Sequence, residues 1–283
     1  MARPLRIQYP GALYHITARG NAKGNIFLNK DDFNDFLTIL CKVTKRYHLL
    51  LHCYCLMHNH YHLLLETPEG NLSQGIRQLN GTYTQHINKK YQSVGHLFQG
   101  RFKSILVEKE NYLLELSRYI SLNPLRAHLV EDPRDWPYSS YPQAIGIIKK
   151  IPCLFPDWIL SQFGPDKKNA RISYQNFVLS GINRESPLKQ VKGQIFLGSE
   201  YFLAKMEQFM EQKEKLTEIP RTQRYATRPS LEELFQTNNT RQMKIYQANQ
   251  KYGYTLKEIG QYLGLHYTTI SKIIKKVENE EEN

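Results

Sequence analysis

The strongest chemical signal in the sequence is a pair of histidines, His60 and His62, separated by Tyr61. On a β-strand, residues two apart point to the same face, so both imidazoles project together and lie close enough to share a metal ion. Half-buried histidines in an ordinary sheet would give the same pattern. His52 and His58 could extend the pair to a zinc site, but their irregular spacing without paired cysteines argues against a closed structural zinc site.

A second chemical signal is Tyr119, four residues before Asn123. Residues at i and i+4 share a helix face, so the hydroxyl and the amide oxygen can both approach a metal held by the two histidines if that face opposes the strand. A tyrosine with a pKa of about 10 needs help as a nucleophile, and a metal would polarise a phosphate and hold it in line for attack. A buried aromatic residue followed by a helix-ending asparagine is the alternative, because the chain has 19 tyrosines.

A third signal combines cations with aromatic rings, as single-stranded nucleic-acid sites do. It consists of Phe98, Arg101, Phe102 and Lys103, with Arg19 at the end of a predicted strand. A solvated loop with core aromatics is the alternative. The whole chain has 38 Lys and Arg against 26 Asp and Glu, a net charge of +12. That excess favours a polyanionic partner, either nucleic acid or an acidic membrane surface.

The elements that must position these residues alternate between strand and helix. In chain order they are a strand at residues 14–20, a helix opened by Asp31 and Asp32, a hairpin of residues 49–57 and 60–66, a helix from Asn71 towards Tyr91, a strand at 104–108 and a helix capped by Asn111 that ends near Pro124. This order, β-α-β-β-α-β-α, is the split βαβ pattern. It predicts an α+β fold with a ferredoxin-like (RRM-like) antiparallel sheet and helices on one face.

The C-terminal part predicts a second, all-α region. Thr255 and Glu258 have the spacing of a capping box, Gly264 ends the helix, and a second helix starts near His266. Two short helices joined by such a turn predict a helix-turn-helix, and a solvated helical hairpin is the alternative. The residues expected to contact DNA in its major groove are Tyr267, Thr268, Thr269, Lys272, Lys275 and Lys276.

The length of 283 residues is enough for two domains. The patterns place a first domain at residues 1–150, a helical connecting region and linker at 151–229, and the helix-turn-helix domain at 230–283. No stretch approaches 18 apolar residues, and Pro4, Gln8 and Pro10 interrupt the N-terminus where a signal peptide needs an apolar run. We therefore expect a cytoplasmic protein whose cysteines are reduced and whose Cys53 and Cys55 are core residues.

Five motifs occur in order within roughly the first 145 residues. They are YHITARGN at 14–21, LMHNHYHLLLE at 56–66, GHLFQGRFKS at 95–104, RYISLNPLRAHLV at 118–130 and WPYSSY at 136–141. Together they closely resemble the REP-associated tyrosine transposases, which are insertion-sequence-200-like HUH transposases. The C-terminal region is similar, more loosely, to the DNA-binding domain of bacterial replication initiators.

The resemblance implies that His60 and His62 are the metal pair, Tyr119 the nucleophile and Asn123 a polar third ligand. Tyr119 would attack a scissile phosphate in single-stranded DNA, leaving a 5′-phosphotyrosine link and a free 3′-hydroxyl that can later rejoin the strand. Mg²⁺ or Mn²⁺ is the family's metal. Two imidazoles alone suit zinc, copper, iron or nickel better, so DNA phosphates would supply the remaining hard oxygen ligands. His58 departs from the many relatives that have proline at this position.

The resemblance therefore predicts a metal-dependent transposase/endonuclease that acts on hairpin or palindromic DNA elements. It would work on the nucleoid in the bacterial cytoplasm and bind duplex DNA through the helix-turn-helix. No membrane partner is expected, and a homodimer is possible. One alternative is a domesticated DNA-binding regulator, against which the intact set of four site residues argues. The other is a ribonuclease or toxin, against which the missing aromatic RNA-binding signature argues.

Overall fold

The computed structural model describes residues 5–211 and 225–281. They form two compact units, Arg6–Leu203 and the described residues from Ala204 onward. Residues 212–224, within the predicted connecting region and linker at 151–229, lie outside the described residues. The functional boundaries at residues 150 and 229 stay predictions. None of the described helices has the length and apolar character needed to cross a membrane.

A five-stranded sheet forms the centre of the first unit. Its strands are β1 (Ala12–Arg19), β2 (Leu50–Met57), β3 (His60–Thr67), β4 (Lys103–Val107) and β5 (Phe196–Leu197). Their order is β2-β3-β1-β4-β5. The first four pair antiparallel in the ferredoxin-like order, and the short β5 adds a parallel pair with β4. The predicted α+β class is confirmed.

The helices of the first unit surround this sheet. They are α1 (Lys30–Arg46), α2 (Leu72–Lys90), α3 (Lys109–Ser121), α4 (Asn123–Arg126), α5 (Tyr141–Ala144), α6 (Asp157–Ser161) and α7 (Lys167–Leu179). A further helix, α8 (Glu200–Glu211), contains the boundary between the two units. Short 3₁₀ turns occupy Asn21–Lys23, Pro133–Asp135 and Pro187–Gln190. The predicted N-cap of α3, Asn111, is wrong, because the helix begins at Lys109 and its N-cap is Glu108, three residues before Asn111.

Helices cover both faces of the sheet, whereas the sequence predicted helices on one face. Tyr61 on β3 faces α1 and α2: its ring lies 5.0 Å from the Phe36 ring, and its hydroxyl donates to Asn80 Oδ1 at 2.6 Å. The neighbouring His62 points to the opposite face, where its ring lies 5.9 Å from the ring of Tyr119 on α3. Because α3 follows the last antiparallel strand and is not a crossover connection, its periodicity leaves the choice of face open.

Asp32 ties the beginning of α1 to the end of α2. Its side chain is fully buried (0% exposed), and it accepts hydrogen bonds from Lys90 Nζ at 2.7 Å and from the Tyr91 hydroxyl at 2.9 Å. With the N-cap Asn29 it also forms a capping box. Burial by itself would raise the pKa of Asp32, but the hydrogen bonds, led by that of Lys90, outweigh it and lower the pKa.

Replacing Asp32 with asparagine should destabilise the protein by about 3 kcal/mol at pH 7, because Lys90 loses a buried partner charge. The pKa of Asp32 is depressed in the folded state. Its stabilisation is therefore present above the unfolded pKa of about 3.9 and is lost as pH falls through the folded pKa. Urea unfolding of Asp32→Asn and of the wild type, at pH 7 and in acid, measures the free energy of unfolding that Asp32 contributes. The control is Asp31→Asn, at the exposed neighbouring position. Equal losses of unfolding free energy in both variants would contradict the prediction.

A disulfide joins Cys41 on α1 to Cys153, so the expectation that all four cysteines are unpaired is wrong. The two residues are 112 positions apart, and no local spacing signals a pair of that kind. Cys53 and Cys55 are free and buried, which confirms them as core residues.

The second unit contains α9 (Leu231–Phe235), α10 (Arg241–Gln250), α11 (Leu256–Leu263) and α12 (Tyr267–Glu281). Their apolar faces meet in one core that includes Ile245, Ile259, Ile270 and Ile274. The predicted capping box at Thr255 is confirmed, and the structure also has a capping box at Ser230 and a side-chain cap at Thr240. Gly264 ends α11 in the left-handed conformation, at φ 66°, which glycine adopts without steric cost.

Candidate active site

Strand register places the histidine pair and two cations on one face of the sheet. Across β1 and β3, His60 lies opposite Arg19 and His62 opposite Thr17. Thr17 in turn lies opposite Lys103 on β4. Directly opposed residues share a face, so the exposed Arg19 and Lys103 flank the pair. Two positive charges beside two imidazoles suit an anionic ligand such as a phosphate backbone.

The two histidines of the pair are neutral at physiological pH. Their ring centroids are 5.0 Å apart. Burial, and then the charge of Arg19, lowers the pKa of His60 to about 4. Burial, followed by the neighbouring imidazoles, lowers the pKa of His62 well below its usual value. A neutral imidazole is the form that binds a metal, so the site is prepared for one.

A third imidazole, which the sequence analysis missed, holds His62 in place. His15 on β1 is almost fully buried, and its Nε2 lies 2.9 Å from His62 Nδ1. The two rings stack with centroids 5.1 Å apart. Burial lowers the pKa of His15 to about 4. Strand alternation puts His15 on the same face as Thr17, but only the register of β1 against β3 brings it to His62.

The donor atoms of the pair fit a divalent cation. His60 Nδ1 lies 2.7 Å from Asn59 Oδ1, and His62 Nδ1 is engaged by His15. Neither Nε2 atom hydrogen-bonds to another described residue. Metal-ligating histidines have this arrangement, in which the protein holds one ring nitrogen and leaves the other for the ion. The described residues contain no group of three His, Cys, Asp or Glu side chains that could hold a metal.

α3 brings Tyr119 to the imidazoles. Its ring centroid lies 5.9 Å from that of His62 and 6.2 Å from that of His15, and the side chain is half-buried. The prediction that Asn123 shares its helix is wrong, because α3 ends at Ser121 and Asn123 opens α4. Pro124 prevents one continuous helix.

The side chain of Asn123 is partly committed to the backbone of α3. Its Nδ2 donates to the Tyr119 carbonyl oxygen at 3.0 Å. Asn123 thereby satisfies one of the carbonyl groups that a helix leaves open at its C-terminal end. Its Oδ1 is the atom that could serve as a metal ligand.

Arg126 places a cation beside Tyr119, and the sequence analysis missed it as well. Its Cζ lies 5.4 Å from the centroid of the Tyr119 ring. Nη2 donates to the carbonyl oxygens of Gly181 and Arg184 at 3.2 and 3.0 Å, and the buried Nη1 has no hydrogen-bond partner within the described chain. Burial lowers the pKa of Arg126. The carbonyl groups that fix this guanidinium follow α7, so only the tertiary fold shows its position.

The predicted base-stacking rings are not exposed. Phe102 is 6% exposed, and the Arg6 guanidinium lies 3.6 Å above its ring. Phe98 is 7% exposed, and its ring centroid lies 6.0 Å from that of Tyr61. The hydrophobic effect favours burying both rings in the protein interior. Of the predicted basic segment, the exposed cation Arg101 remains beside Lys103 and Arg19.

His58 packs away from the metal pair. Its ring lies 5.9 Å from the Phe33 ring and 5.6 Å from the Trp136 ring. Its backbone carbonyl accepts hydrogen bonds from the amides of Ile26 and Phe27. The side chain therefore packs in an aromatic cluster and does not add a third imidazole to the metal pair.

The residues predicted to contact duplex DNA share the outer side of α12. Ile270, Ile274 and Val277 on the same helix are buried. The six exposed positions are Tyr267, Thr268, Thr269, Lys272, Lys275 and Lys276. This division leaves a basic helix surface open to solvent.

Residues 8–123 match the protein family described as "Transposase IS200 like". A Haemophilus influenzae protein named as a REP-associated tyrosine transposase is 29% identical over 143 residues, which cover 46% of this chain and 80% of that protein. A solved structure of a REP-associated tyrosine transposase bound to a REP hairpin aligns with 51% of this chain and 86% of its own, at 18% identity and a TM-score of 0.46.

Proposed function

We propose, from the match of residues 8–123 to the IS200-like transposase family, that the protein is an HUH-type, metal-dependent transposase that cleaves and rejoins single-stranded DNA through Tyr119. The observation that carries the proposal is the 5.9 Å separation between the rings of Tyr119 and His62. A nucleophile and a neutral imidazole pair thus share one face of the sheet. Hairpin or palindromic repeat DNA is the proposed substrate.

Each residue of the site has a part in the proposed reaction. The Tyr119 hydroxyl oxygen attacks the phosphorus and loses its proton to solvent. The P–O3′ bond breaks, and the 3′ oxygen takes up a proton to become a hydroxyl. Attack by a 3′-hydroxyl on the phosphotyrosine link reverses these changes and rejoins the strand. Arg19 and Lys103 bind neighbouring phosphates, and the Arg126 guanidinium attracts the phosphate that is being attacked.

The proposed metal is Mg²⁺ or Mn²⁺, held by the Nε2 atoms of His60 and His62, with Asn123 Oδ1 as a third protein ligand. His15 is a positioning residue, because it fixes the ring of His62. When bound, the ion would polarise the scissile phosphate and orient it for attack. The phosphate oxygens of the DNA would complete a ligand set with the hard donors that these ions prefer.

The test of this function is a denaturing gel of the protein with labelled single-stranded hairpin DNA from its own genomic neighbourhood. With Mn²⁺ we expect a covalent protein–DNA adduct, and with a chelator we expect none. An RNA strand of the same sequence should give no adduct. Tight binding without an adduct or nicking across several flanking sequences would overturn the proposal in favour of a DNA-binding regulator.

We further propose that α11 and α12 act as a helix-turn-helix that holds duplex DNA. Replacing Lys272 and Lys275 together with alanine should weaken duplex affinity and lower the slope of its salt dependence by about two, since each phosphate contact contributes about one. Adduct formation on a short oligonucleotide should stay unchanged. Fluorescence anisotropy at several salt concentrations measures the slope, and Lys251→Ala, at the C-cap of α10, is the control. A wild-type slope in the double variant would refute this role.

Because DNA is the proposed substrate, we also propose that the protein works in the bacterial cytoplasm, on the nucleoid, without a membrane partner. In that compartment the redox buffer sets whether Cys41 and Cys153 are joined. A homodimer stays a prediction, and sedimentation of the protein with and without hairpin DNA tests it.

A further inference from the structure

A cavity of about 300 Å³ lies in the first unit, away from the candidate active site. α5, α6 and α7 and the segment after α5 line it, and none of its lining residues belongs to the histidine pair or its neighbours. Its charged lining residues are Lys149, Lys150, Asp157, Lys167 and Arg171. Four cations and one carboxylate leave a formal charge of 4 − 1 = +3 on the wall.

Arg171 has an unused hydrogen-bond donor inside the protein. Its Nε is buried and has no hydrogen-bond partner among the residues that the structure describes. A buried donor without an acceptor is unfavourable, because it has lost its water and gained nothing in exchange. The two Nη atoms belong to the same cavity-lining guanidinium, and a bound oxyanion could accept hydrogen bonds from them and pair with its charge.

Gly146 makes room for this guanidinium. Its φ of +87° lies in the left-handed region that favours glycine, and a Cβ built there would lie 2.6 Å from Arg171 Nη1. Any other residue at position 146 would therefore displace the guanidinium. The backbone is shaped to seat Arg171 at the cavity wall.

The carboxylate in the wall leaves the positive charge uncompensated. Asp157 pairs with Lys167 at 3.3 Å, and both side chains are more than 60% exposed. Exposed pairs of this kind contribute little and break easily, because water and salt screen the attraction. Lys167 is thus free to turn towards an anion at small cost.

We propose that this cavity binds a phosphate group, with Arg171 as the central hydrogen-bond donor and the lysines as charges around it. The planar guanidinium matches the oxygens of phosphate in a two-pronged contact, and lysines add point charges. The phosphate belongs either to a DNA strand or to a free phosphate compound. The proposal goes beyond the tyrosine chemistry, because no residue of this wall takes part in it.

The first experiment titrates the full chain with inorganic pyrophosphate by calorimetry at low salt. We expect one saturable site. Arg171→Gln should weaken binding at least tenfold and Lys167→Ala about threefold, whereas Asp157→Asn should tighten it. The matched control is Lys168→Ala, an exposed lysine one position along α7 that does not line the cavity.

The second experiment identifies the source of the phosphate. If a DNA strand supplies it, pyrophosphate competes with a single-stranded oligonucleotide, and Arg171→Gln lowers the salt slope of DNA binding by about one. If oligonucleotide affinity is unchanged while pyrophosphate binding still depends on Arg171, a free phosphate compound is the ligand. Both results support the site.

The proposal is overturned if pyrophosphate shows no saturable binding, or if Lys168→Ala loses as much affinity as Arg171→Gln. Thermal melting shows whether Arg171→Gln folds. If it does not fold, pyrophosphate binding by Lys150→Ala and Lys167→Ala tests the proposal instead. Both positions are exposed, so these variants remove charge without disturbing the packing. The adduct assay separates this site from the proposed catalysis, since Arg171→Gln should form the Tyr119 adduct at the wild-type level.

Discussion

Replacing Tyr119 with phenylalanine should abolish the covalent protein–DNA adduct, lowering its yield by about a thousandfold or more. A phenyl ring retains the contacts with His62 and His15 but has no oxygen to attack phosphorus. Affinity for hairpin DNA should stay within about twofold, because surface cations supply most of it. The adduct is counted on a denaturing gel with Mn²⁺, and affinity is measured by anisotropy on the same DNA.

The matched control for this variant is Tyr112→Phe on the same helix, α3. The Tyr112 hydroxyl donates a hydrogen bond to Gln190 Oε1 at 2.8 Å. Its removal changes one polar contact without touching the imidazoles. We expect Tyr112→Phe to form the adduct as the wild type does. An undiminished adduct in Tyr119→Phe would refute the nucleophile assignment, and equal losses in both variants would point to a damaged helix.

Replacing His62 with alanine should remove both metal binding and the adduct, because one of two imidazole ligands is lost. The expected loss of Mn²⁺ affinity is about a hundredfold or more. Electron paramagnetic resonance of free Mn²⁺ measures that affinity without any catalytic step. The control is His58→Ala, since His58 packs on Phe33 and Trp136 and should leave Mn²⁺ binding unchanged.

His15 offers a graded version of the same experiment. Its Nε2 holds His62 Nδ1 at 2.9 Å. His15→Leu keeps the buried volume and removes that hydrogen bond, and should weaken Mn²⁺ binding by about 10- to 100-fold. His15→Gln offers an amide in place of the ring and should recover part of the affinity. Wild-type affinity in His15→Leu would contradict the positioning role, and loss of Mn²⁺ affinity in His58→Ala would contradict the choice of ligands.

Local patterns were sufficient to predict the elements that carry the site. The alternation of a strand places His60 and His62 on one face, and this depends on two residues alone. The capping box of Thr255 with Glu258 and the helix end at Gly264 follow from contacts within one turn. The order of strands and helices was enough to predict the ferredoxin-like sheet.

Contacts between distant segments could not be predicted in this way. His15 meets His62 across 47 residues, and Cys41 meets Cys153 across 112. A hydrogen bond or disulfide between residues so far apart produces no periodic pattern in the sequence. Phe102 shows the same limit, because an aromatic residue in a basic segment suits a DNA surface and a buried core equally well.

The sequence by itself therefore determined the elements of this protein and the shared face of its histidine pair, since both depend on neighbours along the chain. Only the tertiary structure decided which face of the sheet α3 covers, and so that Tyr119 lies against His62. It also decided that Arg126 stands beside the phenol and that Arg171 lines a cavity. The physical reason is that packing and strand register depend on the whole core, which must close before distant side chains can meet.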